Sequence, residues 1–182
     1  EKIWLSWHYH RRSDYLAREF GCAYYHFGTS CGNRLCRYLK GIFNTLKIIM
    51  KKDPDIVFIQ NPSIILAVIA VFIKPFFKYI LINDLHTPFI ELPAPMKSLF
   101  WKVQHFAIRH SDLTLVTNEG FRRQLKEGRV MILPDALPEF DIKRNMELAG
   151  ERNVVYICSF SQDEPYENVI RAAEFLDREI HL

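Results

Sequence analysis

The sequence has no Cys-x-x-Cys pair, no Gly-x-Gly-x-x-Gly and no apolar run long enough to cross a bilayer. The four cysteines, Cys22, Cys31, Cys36 and Cys158, fit no familiar zinc spacing. A reduced, cytosolic setting is the default for such usage; a metal trio of Cys31, Cys36 and His26 is a much weaker alternative. The missing glycine fingerprint after the first apolar stretch argues against a dinucleotide and against a plain nucleotide-binding Rossmann protein. The longest unbroken apolar run, Ile64–Ile73, stops at Lys74-Pro75, whereas a spanning helix needs about 20 such residues. A net charge of +3 over 182 residues is too weak to point to nucleic acid. No signal peptide is expected, since Glu1 leads directly into the apolar Ile3-Trp4-Leu5-Ser6-Trp7. The absence of an initiator Met implies that upstream sequence was removed.

What remains is an alternation. Ile3–Trp7, Cys22–Phe27, Asp55–Gln60, Lys78–Asn83, Asp112–Thr117 and Arg129–Leu133 read as six strands, with continuous or alternating apolar character. Between them lie helical patterns: Asp14–Phe20, Arg34–Lys52, a third helix from Asn61 carrying Ile64–Ile73, Met96–His110, and a helix capped by Asn118 and running through Lys126. Strands alternating with helices give an α/β fold, a Rossmann-like doubly wound parallel sheet over 1–133. The stretch 134–152 holds two prolines, five acidic and three basic residues without periodicity, and reads as an interdomain linker. The rhythm restarts with a strand at Asn153–Cys158, a helix at Tyr166–Leu176 and one more strand from Arg178, so 153–182 begins a second unit that cannot close its own core.

The stretch Lys78–Thr87 organises the candidate chemistry. A buried parallel strand ends there in Asn83, Asp84, His86 and Thr87. Ligands of open α/β sheets gather past the carboxyl ends of such strands. Asp84 and His86 stand at that edge, a carboxylate close enough to orient an imidazole. Ser6, His8, Arg11 and Arg12 follow the first strand and reach the same edge. The plainer reading of Arg11 and Arg12 is a solvated helix start, with the helix itself beginning at Asp14.

Arg34–Lys52 is the clearest helix. Leu35, Leu39, Ile42, Phe43, Leu46, Ile49 and Met50 form one stripe, opposite Arg37, Lys40, Asn44, Lys47 and Lys51. The favoured reading packs the stripe on the sheet and leaves the lysines in water. Those lysines can still meet lipid headgroups, so peripheral membrane contact through this helix is a second expectation. Phe72, Phe76 and Phe77 are further candidates for insertion, with burial the expected fate of most.

Several segments, in order, resemble the retaining family 4 glycosyltransferases of the GT-B fold. These are Asp53-Pro54-Asp55-Ile56-Val57-Phe58 at the third strand, Asp84-Leu85-His86 at the fourth, Ser111 to Glu119, Leu133-Pro134-Asp135, and Val154-Val155-Tyr156-Ile157 followed by Glu167 to Ala173. The resemblance implies an acceptor-binding N-terminal domain followed by the start of a nucleotide-sugar-binding domain. It implies transfer of a sugar to an acceptor hydroxyl with retention, with no metal or other cofactor. The partners it implies are a nucleotide-sugar donor and a glycan or lipid-linked acceptor, in the cytoplasm or at the inner face of the membrane. His86 and Asp84 become the catalytic candidates, and Ser6, His8, Arg11 and Arg12 the acceptor-side ones. Asn118, Glu119, Asp135, Ser159 and Phe160 become the donor-side ones. The departures are a first-strand loop, Trp7–Arg12, without glycine, Cys158-Ser159-Phe160-Ser161 where the family places Gly-Arg, and no Glu-x7-Glu helix before Leu182. With most of the donor site absent, the 182 residues alone are expected to be inactive. The alternatives are the acceptor-binding half of a split two-subunit transferase and a GT-B sugar-nucleotide epimerase.

Overall fold

The computed structural model describes residues 1–28, 33–61, 63–86, 94–135, 152–153, 155–158, 160, 165–175 and 180–181. The chain divides into two compact units, Glu1–Leu137 and Pro138–Leu182. In the first, β1 (Lys2–Ser6), α1 (Arg11–Glu19), β2 (Ala23–His26), α2 (Arg34–Lys52), β3 (Ile56–Asn61) and α3 (Ile64–Phe77) are followed by β4 (Ile80–Leu85), α4 (Ala94–His110), β5 (Leu113–Val116), α5 (Glu119–Gln124) and β6 (Val130–Ile132). The second holds β7 (Arg152–Asn153), α6 (Tyr166–Ala172), a 3₁₀ turn (Ala173–Phe175) and β8 (Ile180–His181).

All six strands of the first unit are parallel, in the order β2-β1-β3-β4-β5-β6. The fold is the expected α/β, Rossmann-like sheet. The chain steps from β1 out to β2, then returns across β1 to β3 and continues in one direction. Right-handed crossovers therefore place α1 on one face and the later helices on the other. The core follows that split. Ile3, Leu5, Val57, Ile59 and Leu81 pack with Ile49 of α2, Leu66 and Ala70 of α3, and Ala107 of α4. The alternate residues Trp4, Phe58 and Leu115 pack with Leu16 and Ala17 of α1.

Three local departures from the sequence reading matter. Helix α1 begins at Arg11, not Asp14, with His10 as its N-cap; this carries Arg12 into the first turn. Helix α5 stops at Gln124, because Leu125 turns into a cluster with Leu85, Ile108 and Val116. The strand expected over Asn153–Cys158 shrinks to the two residues of β7. Val155 to Cys158 have no regular structure, and Val155 and Ile157 are exposed. An apolar run is buried as a strand only between neighbouring strands, and the pairing seen in this unit is the two-residue ladder of β7 with β8. The linker over 134–152 lies, from 136 to 151, outside the described residues.

Helix α2 is the larger correction. Its bounds agree with the periodicity, but its buried face does not. Gly41, Thr45 and Ile49, at four-residue spacing, lie against the sheet. A Cβ on Gly41 would come within 2.8 Å of the Trp7 ring, so glycine lets the helix close onto β1. Thr45 Oγ1 accepts the Trp7 Nε1–H at 3.2 Å and donates to the Gly41 carbonyl at 2.8 Å. Of the expected core stripe, Ile49 is buried and Ile42 packs partly against the core, whereas Leu35, Leu39, Phe43 and Met50 face water at 63%, 57%, 65% and 66% exposure. On α3, Phe72 and Phe76 are exposed as well, while Phe77 packs against the core. Among the described residues, no helix is long and apolar enough to cross a membrane.

Candidate functional site

The register aligns three polar residues at the carboxyl ends of the central strands. Leu5 pairs with Ile59 and Gln60 with Asp84, so Ser6, Gln60 and Asp84 form a row across β1, β3 and β4. Even-numbered positions on these strands face α1. All three residues are buried. The Ser6 hydroxyl lies in hydrogen-bonding contact with Gln60 Oε1 and with the His8 carbonyl, and can donate its one proton to only one of them at a time.

Arg12 closes the row from above. Because α1 starts at Arg11, this side chain leaves the first helical turn toward β4. Its Nε meets both Asp84 oxygens at 3.2 and 3.3 Å, and its Nη2 donates to Asp84 Oδ1 at 3.1 Å. The Leu133 carbonyl accepts from Nη2 at 2.8 Å, and Asp135 Oδ1 from Nη1 at 2.6 Å. One guanidinium thus ties α1 to β4 and to the segment after β6. The Arg12 and Asp84 side chains are 7% and 0% exposed. Burial pushes the Asp84 carboxyl above its ordinary value, against the pull of the Arg12 cation. With N–H groups directed at both oxygens, the ionised carboxylate is the form this geometry accepts near neutral pH.

Two imidazoles sit beside the pair. The His10 and His86 rings are 4.3 Å apart between centroids, tilted by 32°. His86 follows the last residue of β4, and its side chain is 12% exposed. Its Nδ1 is 4.0 Å from Asp84 Oδ2, too far for a hydrogen bond. Burial, then the neighbouring His10 and Arg12, push His86 down to about 4. Burial likewise lowers His10, against the pull of Asp84. Both rings are neutral at physiological pH. Each buries an Nδ1 without a hydrogen-bond partner among the described residues. A neutral imidazole donates from one nitrogen and accepts at the other, so the pair suits a ligand rich in hydroxyl groups.

The structure brings together Asp84, His86, Arg12, Asp135 and, beneath them, Ser6. His8 and Arg11 are exposed; His8 instead lines a small cavity with Trp7, Phe27, Arg37 and Tyr38. Asn118 caps α5, accepting from the Phe121 N–H at 3.0 Å. Glu119 pairs with Arg122 and Arg123 at 3.5 and 3.4 Å. Phe160 belongs to the second unit, where it is exposed with its ring edge-on to Tyr166. Ser159 and Cys31 lie outside the described residues. Among the described residues no His, Cys, Asp and Glu cluster could hold a metal.

Sequence reasoning passed over His10. The available signal was a His-x-His pair after the first strand opposite a lone His after the fourth. It also passed over a second polar group on the other face. Asn83 pairs in register with Thr114, Asn61 lies one side-chain step further along β3, and Gln104 comes from α4. All four are fully buried, and the amides of Asn61, Asn83 and Gln104 and the Thr114 hydroxyl have no hydrogen-bond partner among the described residues. No protein-family model matches this sequence, and no curated protein matches it either.

Proposed function

We propose that this chain supplies the acceptor side of a sugar transferase that uses a nucleotide-sugar donor. The observation that carries the reading is the neutral His10–His86 pair at the carboxyl edge of a parallel sheet, braced by the buried Arg12–Asp84 ion pair. In the reaction, the bond from the sugar's anomeric carbon to the donor phosphate breaks, and the nucleoside diphosphate leaves with the bonding pair. The acceptor oxygen bonds to that carbon and gives up its proton, to an oxygen of the departing phosphate where configuration is retained. An imidazole titrating near 4 is too weak a base to take that proton. His86 instead aligns the acceptor hydroxyl by a hydrogen bond, with His10 beside it, and the gain is one of orientation. Asp84 serves through Arg12, as the anchor of the platform, not through a hydrogen bond to His86.

Arg12 is engaged in an ion pair, so its charge is not free for a diphosphate. This favours a binding half that depends on a further surface for the donor, whether a fuller second domain on the same chain or a second subunit. The test is sugar-nucleotide turnover by the protein of the complete reading frame and by its His86→Ala variant. A fall of about tenfold or more in the variant, roughly 1.4 kcal/mol of barrier, supports the reading. Turnover unchanged in both His86→Ala and His10→Ala removes the imidazole pair from the reaction.

A further inference from the structure

We propose that α2 is a docking helix for an anionic phospholipid surface. The proposal is independent of the sugar-transfer reading. At 100° per residue, α2 divides into three faces. Gly41, Thr45 and Ile49 face the sheet. Leu35, Leu39, Phe43, Leu46 and Met50 fall within an arc of about 80°; four of these five are exposed large apolar side chains. Lys40, Lys47 and Lys51 occupy the next arc of about 40°, all exposed and with no ion pair among the described residues. The apolar stripe runs about 22 Å along the helix.

Charge fixes the occupant. The 19 residues of α2 include six Arg and Lys and no Asp or Glu, twice the net charge of the whole chain. A protein groove would receive the apolar stripe without requiring a one-sign helix. A bilayer of anionic lipid accepts both halves, the side chains among the acyl chains and the lysines among the phosphates. A groove of about 400 Å³ between β2 and α2, lined by Tyr25, His26, Asn44, Lys47, Lys51 and Lys52, offers a headgroup a seat on the lysine side. On α3, which packs beside α2, Phe72 and Phe76 are exposed as well.

Flotation of the 182-residue chain with vesicles tests this. The chain should rise with phosphatidylcholine vesicles containing phosphatidylglycerol and stay behind with phosphatidylcholine alone. The triple variant Lys40→Gln, Lys47→Gln, Lys51→Gln should weaken binding on the order of a hundredfold. The double variant Leu39→Ser, Phe43→Ser should weaken it at least about tenfold. Both sets are exposed, so melting temperature and circular dichroism should match the parent, separating lost docking from lost folding. Equal binding to neutral vesicles, no binding to either, or binding that survives both variants overturns the proposal. So does a dimer, seen by light scattering, that Leu39→Ser, Phe43→Ser dissolves, since a second copy would then cover the stripe.

Discussion

Two buried polar groups lie on opposite faces of the sheet, one residue out of phase on β3 and β4, and they are treated oppositely. On the α1 face, Ser6, Gln60 and Asp84 are answered by one another and by Arg12. On the other face, Asn61, Asn83, Gln104 and Thr114 are answered by nothing among the described residues. The difference is one of charge. An isolated buried carboxylate would cost several kcal/mol, about what the Arg12 contacts must offset. An unanswered amide or hydroxyl costs about 1–3 kcal/mol, which a fold of ordinary stability can carry. The charged row is therefore held by its own side chains, while the neutral row leaves its polar atoms unanswered by the described side chains.

Arg12→Ala should have the largest effect. It strands Asp84 and should cost about 3–5 kcal/mol in urea unfolding. The joint change Arg12→Met, Asp84→Leu should recover most of that. A loss below about 1 kcal/mol for Arg12→Ala would break the comparison, because the pair would then be no anchor.

Next comes pH. The unfolded chain protonates a histidine near 6.5, whereas native His86 refuses the proton until about 4. The depressed native value means that stability present above the unfolded value is lost as pH falls through that window. His86→Gln should flatten this part of the stability profile. The His86 ring signal in proton NMR should show a single titration well below that of exposed histidines; titration near 6.5 would contradict the site geometry.

Thr114→Val, on the open face, should act with the opposite sign to Arg12→Ala. It removes an unanswered hydroxyl at nearly constant volume and should stabilise by about 1 kcal/mol. A loss of stability would mean that the hydroxyl is held after all, by interior water or a bound molecule.

Most of the sheet was legible in the sequence. Ile56–Asn61 and Ile80–Leu85 are near-continuous apolar runs between helical patterns, and that signal is local. The site was legible only in part. Asp84 and His86 announce a strand end, but the partner of Asp84 lies 72 residues away on α1, and no local pattern selects Arg12 over Arg11. The selection came from where α1 starts, a boundary that the apolar positions Tyr15, Leu16 and Phe20 do not mark. The face of α2 was misjudged for a related reason. Apolar periodicity weighs Leu, Phe and Met, whereas the helix is drawn to the sheet by small Gly41 and Thr45 against Trp7. Close approach at Gly41 and Thr45, together with Ile49, chose the buried side.

The Arg12 contacts also bear on how the unit comes apart. They join positions 72, 121 and 123 residues distant along the chain. Contacts of such reach require β1, β4 and β6 to be in place first, so they belong to the late stage of assembly. A contact absent at the folding barrier acts on escape from the native state alone. Arg12→Ala should therefore leave the refolding rate nearly unchanged and accelerate unfolding by almost the full equilibrium loss. In stopped-flow experiments the two limbs would respond unequally, marking Arg12 as the latch that sets the lifetime of the folded unit.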